Sequence, residues 1–427
     1  MRPREARTTL DIAHEINAMC GAARAAAREL APRTRAEKDA ALRGIAAGLR
    51  AGSGAIAGAN ARDLDAAAAR GVSAALLDRL RLDAAGVDRV ARAVEEIASL
   101  ADPVGEVIAE TARPSGVRVR RVRVPIGVVA MIYEARPNVT AEATALCLKS
   151  GNAVVLRGGS EASATNRAIA EIIGEALSAS GLPRAAAQVV PFTDRDAVRA
   201  LVQEVDNVDL AIPRGGEALI RAVVEHARVP VVQHYKGVCH LFLDAGCDVA
   251  MATRLAVDGK LVRPAVCNAL ECLLVDAADA ARVLPEVARA LLAGGCELRG
   301  CDRARAIVPE MRAAADDDWG REFLDRVLAV RVVDGIAGAL AHVARYGSGH
   351  TEAICTRSEE HAEAWRRKVD AACVTVNAST RFHDGGELGL GAEIGIATSR
   401  LHWRGPMGLE ALTTMKWVVE GDGQTRG

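Results

Sequence analysis

The feature of this sequence best suited to covalent chemistry is a cysteine beside an amide, set just after a proline. Val262 to Val275 reads Val-Arg-Pro-Ala-Val-Cys-Asn-Ala-Leu-Glu-Cys-Leu-Leu-Val. Pro264 fixes its own φ and turns Arg263 away from helix. Cys267 then stands at the mouth of a turn with Asn268 beside it. Leu270 and the run from Cys272 to Val275 predict a buried strand leaving that turn. A thiol so placed is positioned as a nucleophile. Taken alone, the same residue reads more readily as a small core hydrophobe, because free cysteine is among the most buried residue types. The company it keeps elsewhere in the chain decides between the two.

Two other stretches carry chemistry. Arg157-Gly158-Gly159 and Pro213-Arg214-Gly215-Gly216 each lie between an apolar run and an amphipathic helix pattern. A glycine-rich strand-to-helix turn lets backbone N–H groups meet a phosphate at the positive end of a helix. The G-x-G-x-x-G fingerprint is absent, and one Gly-Gly alone is only a tight turn. Two such turns at the carboxyl edge of one parallel sheet would form a nucleotide crevice. The ten cysteines are scattered and predict reduced thiols. Cys267/Cys272 and Cys296/Cys301 have the C-x4-C spacing of zinc ligands, but no second pair follows, so no metal is expected.

The elements that must position these residues follow from periodicity. From about Ile12 to Leu100 the pattern is helical, with turn residues from Gly52 to Ala61 and Asn60 or Asp63 as a helix cap. Val117 to Val124 alternates valine with arginine, which predicts a half-exposed strand with a bulge at Arg120-Arg121. Gly127 to Tyr133 and Ala153 to Leu156 read as fully buried strands, each followed by a helix. Gly151 and Gly181 close those helices. Gln188 to Pro191 and Val208 to Ile212 continue the alternation. Further strands are expected at Leu241 to Asp244, Leu328 to Val333 and Ala353 to Thr356. The order predicts parallel sheets covered on both faces. Val374 to Gly408 is rich in glycine and polar residues, a composition of ligand-holding loops.

Composition narrows the class. The chain has 427 residues, of which 50% are hydrophobic and only 3% aromatic, with a formal net charge of −1. That length predicts two or three domains. The balanced charge argues against nucleic acid as a partner. No apolar run reaches the roughly 18 to 20 residues that would cross a membrane. The N-terminus lacks an apolar segment of the secretory kind, so a cytoplasmic location is expected.

Read together, the motifs identify a family. Tyr133-Glu134-Ala135-Arg136-Pro137-Asn138-Val139-Thr140, Lys149 through Gly159, Ile212 through Gly216, Gly237-Val238-Cys239-His240, Arg263 through Asn268 and the run Val376 to Trp417 occur in one order and spacing. In these the chain resembles the γ-glutamyl phosphate reductases of the aldehyde dehydrogenase superfamily, over nearly its whole length. The resemblance implies an α/β, aldehyde-dehydrogenase-like fold. A Rossmann-like NADP(H)-binding domain would span 1–235, with 113–126 in an oligomerisation ribbon. A catalytic domain would span 236–385. Residues 386–427 would return to the cofactor domain and supply an oligomerisation tail. It further implies that Cys267 is the nucleophile, that Asn138 is an oxyanion-hole amide and that Glu322 holds the nicotinamide ribose.

The same resemblance implies NADPH-dependent reduction of L-glutamyl 5-phosphate through a Cys267 thioester. A glutamate 5-kinase would supply the acyl phosphate, and the enzyme would be a homo-oligomer. The substrate's carboxylate and phosphate suit arginine forks, for which Arg136 and Arg381 are the choices. Asn268, Asn377, Ser379 and Thr380 would bond the amino acid, and Glu134 its ammonium. Gln233 stands about where hydrolytic members carry a water-activating carboxylate. Lys260 and His240 are the candidates for activating the thiol; otherwise they read as a surface lysine and a satisfied structural histidine. Asp258-Gly259-Lys260 departs from the Asn-Ala-Lys usual in the family.

Overall fold

The computed structural model describes residues 9–426. The reading of Met1 to Arg7 lies outside them. The chain divides into two compact units: Met1–Gln233 with Leu390–Gly395 and Met407–Gly427, and His234–Gly389 with Ile396–Pro406.

The first unit is built on a four-stranded parallel sheet, ordered Ala187–Val189, Ala153–Gly158, Val128–Tyr133 and Leu210–Arg214. All six residues of Val128–Tyr133 are buried. That is why the strand reads as an unbroken apolar run, since a parallel sheet is covered on both faces. The helix Thr9–Leu30 lays Ile12, Ile16, Cys20, Ala23 and Ala27 against Val128, Ala130, Ile132, Ala153 and Val155. The spacing of those five residues keeps them on one helical face. The helix Asn138–Lys149 is buried at every position except Asn138 and Glu142. Gly151 follows it with φ +77°, and its missing Cβ would sit 2.6 Å from Pro125.

Lys149, at the end of that helix, is completely buried. Its Nζ donates to the Asp39 carboxylate and, at 2.7 Å, to the carbonyl of Ala98. One ammonium therefore ties three helices together. Asp39→Ala would leave that charge without its counter-ion, and removing one partner of a buried pair costs about 3–5 kcal/mol. The variant is expected to unfold well below the wild-type midpoint in urea; an unchanged midpoint would show that the pair contributes nothing.

The sequence predicts turn residues from Gly52 to Ala61 with Asn60 or Asp63 as the cap of the next helix. Instead Ser53–Ala69 is a continuous helix and both residues lie inside it. Their side chains serve other elements. Asn60 bonds the Leu80 carbonyl and the Leu82 N–H, at 2.8 and 2.7 Å. Asp63 accepts from Ala164 and Thr165 N–H, at 3.2 and 2.8 Å, and so caps the helix Ser163–Ala179 from a distance. Capping by a residue a hundred positions away leaves no local signature.

A separate antiparallel sheet joins Val107–Ala112, Arg118–Pro125 and Thr413–Glu420, with Arg118–Pro125 central. The bulge expected at Arg120-Arg121 is not there. These residues pair in regular register with Glu110 and Ala109 on one side and with Val418 and Trp417 on the other, and the register shift lies in the neighbouring strand, between Val107 and Ala109. Three of the four arginines of Arg118–Pro125 are ion-paired, and Arg121 lies over the Trp417 ring. Arg118 and Arg120 meet Glu420, and Arg123 meets Glu106 and Glu410.

The second unit carries seven parallel strands. Their order is Arg312–Ala313, Glu297–Gly300, Val327–Val333, Leu270–Asp276, Cys239–Leu243, Thr351–Cys355 and Cys373–Val376. Leu270–Asp276 is fully buried near the centre. The turn at Cys267 thus leads directly into the most shielded part of this sheet. The strands at 297–300 and 312–313 and the short helix Asp302–Ile307 carry too weak a pattern to have been foreseen.

Candidate active site

Cys267 is half-buried, in the turn between the helix Val249–Leu261 and the strand Leu270–Asp276. Two layers of contacts hold that turn. Its carbonyl accepts from the Cys239 thiol at 3.3 Å. Gly237 packs so closely that an added Cβ would stand 1.9 Å from the same carbonyl oxygen. The Gly237 N–H donates to Glu322 at 2.9 Å, and Val238 N–H donates to Ser348 Oγ at 2.9 Å. The stretch before Cys239 is therefore fixed by two other loops as it passes Cys267.

On the other side the segment Ser379 to His383 clasps Asn268. Asn268 Nδ2 donates to the carbonyls of Arg381 and His383, at 3.2 and 3.1 Å. The Thr380 hydroxyl donates to the Asn268 carbonyl at 2.7 Å, and the Arg381 guanidinium bonds Asn268 Oδ1. Ser379 Oγ accepts from Arg381 N–H at 3.2 Å. So Asn268, Ser379 and Thr380, named as substrate contacts, are buried and engaged in holding the turn. Asn377, at φ +55°, uses its amide on the backbone of Thr356, joining the ends of two strands. Of this group Arg381 is the half-buried side chain that keeps spare donors, since a guanidinium carries five N–H groups.

The two residues considered as activators of the thiol are otherwise employed. Lys260 is completely buried, not a surface lysine, and donates to Glu271 at 2.5 Å. Burial pushes Glu271 up to about 7 despite Lys260. Glu271 also accepts from Leu324 N–H at 3.2 Å, and so steadies the loop that carries Glu322. His240 is buried with Nδ1 2.8 Å from Glu352. Burial works against its charge, but Glu352 and Cys272 outweigh it and raise His240 to about 10.

Histidines that the sequence did not single out surround Cys267 instead. One ligand atom each from His234, Cys267 and His350 lie within 4.8 Å of one another. His350 Nδ1 is 2.6 Å from Thr351 Oγ1, which is 2.7 Å from His383 Nδ1. Burial, then His234 and His383, hold His350 well below its ordinary value. The one visible hint was Gly347-Ser348-Gly349-His350 ahead of a strand.

His240, Cys272 and His342 form a second such cluster, fully buried. Arg331 donates to His342 Nδ1 at 3.2 Å, which leaves the ring proton on Nε2, facing Cys272 at 3.6 Å. A nitrogen carrying a proton is not a metal ligand. The C-x4-C pair at Cys267 and Cys272 is thereby divided between two clusters.

In the first unit the turns are fronted by carboxylates. Glu134 accepts from Gly216 N–H at 3.1 Å, and an added Cβ on Gly215 would stand 2.5 Å from its Oε2. Glu161 accepts from Ala135 N–H at 2.5 Å and crowds Gly159 in the same way. Ala135 lies between Glu134 and Arg136 at φ +42°, a conformation that costs a non-glycine residue about 1–2 kcal/mol. Negative groups in these positions suit hydroxyl or ammonium donors better than phosphate. Arg157 donates to the carbonyls of Thr193 and Asp194, at 2.6 and 3.3 Å, and shapes the next loop. Arg214 sits 3.9 Å from Glu393. Pro213 is the penultimate residue of the edge strand, opposite Ile132. Asn138 donates to Glu142 at 3.0 Å. Arg136 adds positive charge near that glutamate, whose carboxyl is raised chiefly by burial. Beside Gly158 and Gly159 opens a cavity of about 450 Å³, lined also by Ser163, Arg167, Phe192 and Thr193.

A parallel α/β unit presenting a clasped cysteine at a strand entrance, and a second with one glycine turn beside a cavity, fit the class of thiol-dependent dehydrogenases. The sequence model of the aldehyde dehydrogenase family matches residues 6–295. The γ-glutamyl phosphate reductase of Sorangium cellulosum is 58% identical over 424 residues, 98% of this chain and 99% of the other. That of Anaeromyxobacter is 56% identical over 420 residues, 97% of this chain and 98% of the other. The crystal structure of the γ-glutamyl phosphate reductase of Thermotoga maritima superposes with a TM-score of 0.95 at 43% identity, covering 97% of this chain and 100% of that one. An acetylating aldehyde dehydrogenase of Geobacillus thermoglucosidasius, 17% identical with a TM-score of 0.68, shares the fold over 99% of this chain and 100% of its own. The chain belongs to the aldehyde dehydrogenase family and, within it, to the γ-glutamyl phosphate reductases.

Proposed function

We propose that this chain reduces L-glutamyl 5-phosphate to L-glutamate 5-semialdehyde and phosphate with NADPH, the second step from glutamate to proline. The observation that carries the reading is end-to-end identity of 58% to a reductase of that name, with Cys267 in a turn held from both sides. The Cys267 thiolate attacks the acyl carbon, the C–O bond to phosphate breaks, and phosphate leaves with the electron pair. An acyl phosphate is already activated, so a soft nucleophile suffices. The oxyanion is assigned to the Cys267 backbone N–H, and Asn138 keeps the oxyanion-hole role that the family resemblance implies. One such donor is worth roughly 3 to 4 kcal/mol of barrier.

A nicotinamide cofactor, when bound, supplies the hydride that converts the thioester to aldehyde. The cavity beside Gly158 and Gly159 fits one half of such a dinucleotide, and Arg167 gives it a cation suited to the extra phosphate of NADPH. Glu134, Glu161 and Glu322 are read as partners of ribose or ammonium groups. Pro213 to Gly216 shape the turn against Glu134.

Arg381 is assigned the substrate α-carboxylate. Asn268 holds one arm of the guanidinium, which leaves the others oriented. Lysine would keep the charge and lose the fork. Arg381→Lys is expected to raise the KM for the semialdehyde about 10- to 150-fold, as losing a charge-assisted hydrogen bond does. The KM for NADP⁺ should hardly move. Equal shifts in both, with a lower melting point, would assign Arg381 to structure alone.

Met415, Trp417 and Val419 alternate along the ribbon strand and are 49%, 67% and 61% exposed. We assign this row to a second copy of the chain. Light scattering that returned a monomer would remove that assignment. An unstable acyl phosphate also makes the kinase that forms it a natural partner, which co-sedimentation of the two enzymes tests. The reaction itself is tested by mixing enzyme, semialdehyde and NADP⁺ without phosphate. Intact-mass analysis should find one glutamyl group on the peptide bearing Cys267; its absence, with turnover present, would exclude the thioester.

A further inference from the structure

We propose that His350 is the partner of the Cys267 thiol, taking up its proton so that the nucleophile acts as thiolate. The inference rests on Cys267 being the nucleophile and adds the group that prepares it. No histidine or lysine adjoins Cys267 in sequence. In the fold, His234, Cys267 and His350 come from three separate segments, and a ligand atom of each lies within 4.8 Å of the others. The rings of His234 and His350 are 5.0 Å apart.

The hydrogen bonds of His350 leave Nε2 as the nitrogen available to serve the thiol. Its Nδ1 is committed to Thr351 Oγ1 at 2.6 Å, with Cys239 Sγ at 3.5 Å and His383 Nδ1 at 3.4 Å close by. Its Nε2 is buried and has no hydrogen-bond partner among the described residues. A buried polar atom in that condition calls for a reason. Proton exchange with Cys267 is one, because either arrangement of the Thr351 hydroxyl leaves Nε2 useful. If Nδ1–H donates to Thr351, Nε2 is bare and accepts the thiol proton. If Thr351 donates to Nδ1, Nε2–H donates to the thiolate.

His234, His383, Cys239 and Cys267 are the titratable groups around His350. Burial, then His234 and His383, keep His350 neutral at rest and oppose its protonation, so its cation forms only against the Cys267 thiolate. Cys239, fully buried, is held as a thiol first by that burial. Cys267, half-buried, is the cluster's accessible sulfur. The step breaks the Cys267 S–H bond and forms an Nε2–H bond on His350. No electrons are exchanged. The imidazolium then stands beside the one anion of the cluster, the thiolate that its proton left. Thr351 and His383 keep the ring oriented and are positioning residues.

The test is the pH dependence of Cys267 alkylation by iodoacetamide, followed by peptide mass spectrometry, for wild type, His350→Ala and His350→Gln. Glutamine keeps polar atoms and similar size but cannot take a proton at this pH. The wild-type profile should rise well below the value of about 8.5 of an ordinary thiol. Both variants should move it to about 8.5 and slow alkylation at pH 7 roughly tenfold or more. Turnover of the semialdehyde should fall about 10²- to 10⁴-fold, as for loss of a proton-transfer group. A low wild-type profile lost in both variants supports the assignment even in a protein that oxidises no semialdehyde; in that case the reaction reading fails instead. Variants that alkylate with the wild-type profile overturn the assignment, as does a wild-type thiol that titrates near 8.5. If the alanine variant does not fold, the glutamine variant decides.

Discussion

Cys267→Ala is expected to abolish turnover while leaving a folded protein that binds nucleotide normally. The side chain is small and half-buried, so its loss opens little cavity. The turn around it is held by backbone and by Asn268, Thr380 and Arg381 side chains, none of which involves the sulfur. The cavity beside Gly158 and Gly159 is lined by residues between Met19 and Thr193 and contains no part of this turn. Loss of a nucleophile from a site whose members act as a unit lowers kcat on the order of 10⁴-fold or more. Steady-state kinetics, a melting curve and NADPH fluorescence titration check the three parts together. Cys272→Ala is the control: it removes a sulfur facing His342 in the core and should cost stability more than rate. A Cys267→Ala enzyme within tenfold of wild type would return this residue to the role of a core filler.

Gly237→Ala is expected to be nearly as damaging, by geometry alone. The new Cβ would stand 1.9 Å from the Cys267 carbonyl oxygen and 2.9 Å from its Cα. Both are backbone atoms and cannot swing aside as a side chain does. Either residue must retreat by more than an ångström. Gly237 is held by Glu322 and its neighbour Val238 by Ser348, so the nucleophile turn is the side that gives. A displacement of about 1 Å at reacting atoms costs on the order of 10²-fold in rate, and overpacking costs about 1–3 kcal/mol in stability. Both kcat and the melting temperature should fall. A variant with full activity would mean that the turn has slack the contacts do not suggest.

The order of elements was legible because parallel strands buried on both faces leave long apolar runs. Gly127 to Tyr133 and Cys272 to Val275 announce themselves in that way. So did the turn at Cys267, through Pro264 and the strand that follows. What escaped was everything that depends on distance in the chain. Asp63 caps a helix that begins at Ser163, and nothing near Asp63 says so. Lys260 reads as a surface lysine until Glu271 is seen beside it. His350 and His383 meet through Thr351, and neither has a spacing that marks it. The glycine-rich stretch reads as ligand-holding loops, but its local pattern does not show that Ser379 and Thr380 are fastened to the loop and to Asn268, since a turn buried this deeply must satisfy its own backbone first.

The central claim, a thioester at Cys267 resolved by phosphate, is tested most directly by running the reaction backwards. Enzyme, L-glutamate 5-semialdehyde and NADP⁺ are mixed with and without inorganic phosphate, and NADPH absorbance is followed. The account predicts multiple turnovers only with phosphate, and at most one NADPH per active site without it. Gln233 carries an amide, which cannot activate water as a carboxylate would. Sustained NADPH formation at the same rate in the absence of phosphate would contradict the account and make the enzyme a hydrolytic dehydrogenase.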